Sequence, residues 1–127
     1  MTATEVQALY APLHEAAART TDPKILARID QLVLYARYVD LYRTFWTQTG
    51  PARQKAFEEL ARYVYRIRDA QMVCSKYFHR SATPYSKEPP VVFPPGAPGI
   101  WETDTPHTPI EIQKMLEAGV AGGTGER

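Results

Sequence analysis

The chain has 127 residues, 15 basic and 14 acidic side chains, a formal charge of +1, and is 44% apolar and 23% charged. That is the composition of one globular domain, which excludes disordered and fibrous classes. No run approaches the ~20 continuous apolar residues of a membrane helix, near-neutral charge argues against nucleic-acid binding by bulk electrostatics, and the single cysteine, Cys74, excludes an internal disulfide or a cysteine zinc cage.

Composition changes near residue 80. Eight of the 11 prolines lie at Pro84 or later, and six of the 7 glycines at Gly96 or later. Over 19–80 there are 12 basic residues against 6 acidic ones, and from Ser81 onward 3 against 6. The expected organisation is a helical bundle over 1–80, a proline-rich extended arm over 81–108, a short helix over 109–119 and a disordered tail over 120–127. The expected fold class is all-α: a long antiparallel αα-hairpin with an N-terminal helix packed beside it.

The first helix is predicted over 3–18. Thr2 and Glu5 form a capping-box pattern, each side chain able to satisfy the other's free backbone amide. Val6, Leu9, Tyr10, Leu13 and Ala17 make its apolar stripe, and Pro12 should kink or split it. The second helix, 23–48, opens with Asp22 as cap and Pro23 at the first position, where a missing amide costs nothing. Ile25, Ile29, Leu32, Ala36, Val39, Arg43 and Trp46 alternate in steps of 4 and 3, one seam of a helix. A second stripe, Leu34, Tyr35, Tyr38, Leu41, Tyr42 and Phe45, runs beside it. Together they cover well over half the circumference, so this helix must be largely buried by its own chain or by another.

Thr49-Gly50-Pro51 ends that helix, because glycine accepts the left-handed conformation and proline cannot continue. The third helix is predicted over 51–79, with the seam Phe57, Leu60, Val64, Ile67, Gln71, Cys74 and Phe78. Gln71 on that seam reads as a register-fixing polar residue. Pro89-Pro90, Pro94-Pro95 and Pro98 forbid helix in the arm. Its apolar interruptions, Val91, Val92, Phe93, Ile100 and Trp101, predict that it lies against a surface. Thr108-Pro109-Ile110-Glu111 repeats the helix-start signature. Ile112, Met115 and Leu116 share a face of the helix that follows, and Gly119 is its expected stop.

Candidate chemistry is sparse. His14, His79 and His107 lie in three elements without convergent ligand spacing, so no metal is expected. Cys74 and His79 would stand roughly 140° apart on a helix at ~100° per residue, poor geometry for a thiol–imidazole pair. Asp30, Asp40 and Asp69 have arginine neighbours (Arg37 and Arg43, and Arg66) and read as solvated ion pairs rather than glycosidase carboxylates. Arg62, Tyr63, Tyr65 and Arg66, with Arg37, Tyr38 and Tyr42, make a basic aromatic set able to stack on sugars or bases, diluted by Glu58 and Glu59. No catalytic residue and no cofactor are expected.

The stretches PKILARIDQLVLYARYVDLYRTF and ARQKAFEELARYVYRIRDAQMVCSKYF, with TPIEIQKMLEAGVA, resemble a helical region of a bacterial family of large, alpha-glucuronidase-like glycoside hydrolases, a domain of unknown function. Its polar signposts here are Arg28, Asp30, Tyr38, Arg66 and Asp69. In that family such helices follow a TIM barrel that keeps the catalytic carboxylates. The resemblance therefore implies a non-catalytic helical accessory module or fragment that buttresses a barrel or the rim of a sugar site. Sugar contacts are expected at Tyr38, Tyr42, Arg66 and Trp101. The alternative is a self-standing interaction module that meets a protein partner, or a second copy, through the second helix. Neither nucleic acid nor membrane is an expected partner. No secretory signal pattern opens the chain, which implies the cytoplasm as it stands and a secreted or periplasmic site for a fragment of a larger protein.

Overall fold

The computed structural model describes residues 2–70 and 91–121. Among these residues there are four α-helices and no strand: α1 (Ala3–Ala18), α2 (Pro23–Thr47), α3 (Gly50–Arg66) and α4 (Pro109–Val120), with a 3₁₀ turn at Gly99–Trp101. The fold is all-α. It divides into two compact units, Met1–Asp40 with His107–Arg127, and Leu41–Pro106. The boundary falls within α2.

In the first unit the helix starts obey their caps. The Thr2 amide donates to Glu5 Oε2 at 2.6 Å and the Glu5 amide to Thr2 Oγ1 at 3.1 Å. Thr108 and Glu111 repeat the exchange at 2.9 and 3.2 Å. Asp22 Oδ1 accepts the Lys24 amide at 2.9 Å at the start of α2. Contrary to a split, α1 is continuous through Pro12. Ala8 and Pro12 are both exposed, so water can reach the carbonyl that proline leaves without a donor.

α1 packs against α4. Val6 and Tyr10 are buried on one helix, and Ile112, Leu116 and Gly119 on the other. Each large side chain so buried contributes about 1.5–3 kcal/mol. Gln7 Nε2 donates to the Val120 carbonyl at 3.1 Å, satisfying a group at the end of α4. Gly119 does not stop the helix, which continues to Val120. It is buried within the last turn, and a β-carbon there would overlap the Tyr10 ring.

On the α2 portion of this unit the buried line is Ile29, Val33, Leu34, Ala36, Arg37 and Asp40. Three members of the expected seam, Ile25, Leu32 and Trp46, are exposed instead, and within this unit Val33 replaces the first two. A helix apolar on most sides offers several seams of equal spacing, so periodicity alone does not choose among them. The reading of Asp40 as solvated is corrected too. Asp40 is 0% exposed and Arg37 6%, with Arg37 Nη1 3.9 Å from Asp40 Oδ2 one helical turn away.

In the second unit, Gln48 and Thr49 link α2 to α3, and Gly50 takes φ +58° at the corner. Phe45 meets Phe57 across this turn, ring centroids 5.5 Å apart, in the manner of a helical hairpin. Phe57, Leu60, Val64 and Ile67 are all buried, as their spacing requires. Arg53 is buried with its guanidinium 4.3 Å over the Phe45 ring, and Nη1 donates to the Phe45 carbonyl at 3.4 Å. A cation there suits the carbonyl end of α2.

The continuous third helix expected over 51–79 is corrected at 67–70, since α3 closes at Arg66, and the remainder of that expectation lies outside the described residues. The Arg68 amide turns back to Tyr65 at 3.1 Å and the Ala70 amide to Ile67 at 2.8 Å, tight i→i−3 bonds that end the α-helical ladder. Gln71, Cys74, Phe78 and His79 lie outside the described residues. The arm is not uniformly extended either. A turn at 94–97 is closed by the Ala97 amide on the Pro94 carbonyl at 3.0 Å, with Pro95 and Gly96 (φ +84°) at its centre. The 3₁₀ turn follows and buries Trp101.

Candidate interaction surface

Two faces of the molecule carry chemistry, one in each unit. In the first unit, Ile25, Leu32 and Tyr35 of α2 are 42%, 40% and 38% exposed. With Arg28 and the half-buried Val39 they follow steps of 3, 4, 3 and 4, the spacing of a coiled-coil seam. Tyr35 leans on Tyr38 with ring centroids 6.2 Å apart. Lys24 and Arg28 are exposed on the same side. The acidic residues of α2 lie elsewhere. Asp40 is buried, and Asp30 stands roughly 160° round the helix from Leu32 at ~100° per residue. Partial burial of Asp30 pushes its carboxyl above the ordinary aspartate value.

In the second unit, one face of α3 holds the segment 91–105. Gln54 Nε2 donates to the Val92 carbonyl at 2.7 Å, and the Val92 amide donates to Gln54 Oε1 at 3.1 Å. Val91 is buried, and the Phe93 ring lies 5.2 Å from Phe57. Trp101 packs 6.2 Å from Tyr65, whose other neighbour is the Arg68 guanidinium at 4.4 Å. Arg62 grips Asp104 through Nε at 2.7 Å and Nη2 at 3.0 Å. That fork holds the Asp104 carboxyl below its ordinary value and raises Arg62. Arg66 donates twice to the Thr105 carbonyl, at 3.1 and 2.9 Å.

The residues expected to meet sugar lie in both units. Tyr38 belongs to the first unit. In the second, Trp101 is 6% exposed and Arg66 is engaged with Thr105, while half-buried Tyr42 stacks on Trp46 at 6.1 Å. In the basic aromatic set, Tyr63 and Arg37 are buried and Arg62 holds Asp104. His14 is exposed on α1, and His107 Nδ1 lies 3.7 Å from Glu111 Oε2. Among the described residues, no three His, Cys, Asp or Glu side chains converge as a metal would need, and no helix is long and apolar enough to cross a membrane.

Gln54, Arg53 and Asp104 were missed from the sequence. The opposite charge balances on either side of residue 80 were the available signal for Arg62 and Asp104. Gln54 gave none, since a glutamine on a helix is usually solvated. Compared with known proteins, the chain matches no family model, no curated protein and no solved structure. The likeness to helices of glucuronidase-like proteins stands on the quoted residues alone.

Proposed function

We propose that this chain is a non-catalytic helical interaction module that receives an acidic amphipathic helix of a partner protein along the exposed stripe of α2. One observation supports it: Ile25, Leu32 and Tyr35 are exposed in heptad register on a helix whose opposite side is already buried. Lys24 and Arg28 accompany the stripe, neither acidic residue within α2 lies on it, and Asp22 before the helix is engaged with the Lys24 amide. A partner with Glu or Asp beside its apolar seam complements that charge, whereas a second copy brings the same cations. Among the described residues, no side chain singles out a sugar-cleaving barrel as the partner.

The test uses a labelled synthetic helix with leucines in heptad register and glutamates flanking them. Fluorescence anisotropy should show binding that weakens with salt and is lost in Leu32→Asp. Unchanged binding by Leu32→Asp would overturn the reading. A dimer of the chain alone, abolished by Leu32→Asp, would overturn the choice of partner in favour of a second copy.

A further inference from the structure

The apolar stripe of α2 is interrupted by a charge. Ile25, Leu32 and Tyr35 are exposed, and at ~100° per residue they span an arc of about 80° on the helix. Arg28 stands inside that arc, about 40° from Leu32 and about 20° from Tyr35, so it holds a place of the seam itself. Lys24 falls just outside the arc, on the Tyr35 side. On the other side Ile29 and Ala36 are buried, which gives that border to the unit's own core.

The Arg28 side chain is exposed, and among the described residues it has no hydrogen bond, ion pair or ring contact. Other arginines of the chain are engaged. Arg19 meets Glu15, Arg62 meets Asp104, and Arg53, Arg66 and Arg68 donate to the carbonyls of Phe45, Thr105 and Tyr65. Asp30 stands about 160° round the helix from Arg28, out of its reach. A helix laid along the stripe covers Arg28. An apolar residue set against it takes the guanidinium out of water without a partner, a cost that a carboxylate at the same place removes through charge-assisted hydrogen bonds. A carboxylate on the partner's flank meets Lys24 at the border and leaves the centre of the seam unmatched. A polar residue at one seam place of a coiled coil sets register and partner in this way, at some cost in stability.

We propose that Arg28 is the specificity-determining residue of this face: it selects a partner helix that carries one carboxylate within its own apolar seam, set against the guanidinium. The proposal deepens the reading of α2 as a docking face and rests on it. A helix acidic only on its flanks is accepted less well. A second copy is refused, because its stripe brings another Arg28 and no carboxylate.

Three labelled synthetic helices of equal composition and net charge are titrated against the full chain by fluorescence anisotropy. The first has an all-leucine seam, with glutamates on its flanks and outer face. The second and third exchange one outer glutamate with a seam leucine, at one or the other of the two seam places of the central heptad. At least one of these two should bind the wild-type chain about tenfold tighter than the all-leucine helix. Arg28→Leu should reverse that order, and Arg28→Glu should prefer the same helix with lysine in place of its seam glutamate. Should Arg28→Leu lower solubility, Arg28→Gln replaces it and should abolish the preference. An all-leucine helix that binds the wild type as tightly as both seam-glutamate helices overturns the proposal and leaves the docking face standing. So does an order of preference that Arg28→Leu leaves unchanged. If none of the three helices binds, the docking face falls and the proposal falls with it.

Discussion

The ring of Tyr10 on α1 occupies the space where a β-carbon on residue 119 of α4 would stand. Tyr10 is 1% exposed, so the ring has no room to withdraw. Gly119 is thus the small residue that lets the two helices approach.

Gly119→Ala tests that approach. Alanine gains up to ~1 kcal/mol of helix propensity, but overpacking costs about 1–3 kcal/mol, and a clash at the root of a buried ring rather than its tip favours the larger cost. Denaturant unfolding should show a net loss in the wild-type background and none in Tyr10→Ala, where the space is open. Equal losses in both backgrounds would show that Tyr10 is not the obstacle.

Arg37 and Asp40 give a second prediction. Their pair is buried, and breaking such a pair leaves a charge out of water, at about 3–5 kcal/mol. Asp40→Ala should lower stability by that order, and Arg37→Met/Asp40→Leu by less than the sum of its parts. A loss within experimental error for Asp40→Ala would mean that the carboxylate reaches solvent.

Asp30 predicts a pH effect of definite sign. Its folded pKa is raised by burial, so the folded state holds the proton more tightly than the unfolded one. Stability then falls as pH rises from the ordinary aspartate value through the raised one, and stays lower above it. Asp30→Asn should stabilise the chain at neutral pH and do nothing at pH below the ordinary aspartate range. Thermal unfolding at the two pH values decides it.

Asp104 runs the other way. Its folded pKa is lowered, chiefly by the hydrogen bonds from Arg62, so its contribution is present above the ordinary aspartate value and is lost as pH falls through the lowered one. Carboxyl NMR should place its titration below that of an exposed aspartate, and Arg62→Gln should move it back up. A titration indifferent to Arg62→Gln would remove the fork from the account.

Helix starts were the most legible part of the sequence, because a cap is a local bargain. Thr2 with Glu5, Asp22 with Pro23, and Thr108 with Pro109 and Glu111 need nothing from the rest of the chain. The stripes of α1 and α4 were legible too, since each helix has one apolar side. Sequence reading failed on α2, where apolar residues lie on most sides and only tertiary packing chooses between Leu32 and Val33. It failed on Arg37 and Asp40, because spacing cannot report burial. The end of α3 was missed because Ile67 continues the heptad pattern while the backbone over 67–70 turns into i→i−3 bonds. Of the two candidate surfaces, the α2 stripe was visible as an excess of apolar residues. The α3 clamp was not, because it depends on a glutamine meeting a backbone 38 residues away.

Because Gln54 touches main-chain atoms at Val92 and leaves its isopropyl group facing out, nineteen of the twenty standard amino acids can satisfy that pairing and only an imino acid cannot. A stretch crowded with prolines on both sides is thus obliged to interrupt itself at this spot. Mutational drift at position 92 should be broad, with one forbidden letter.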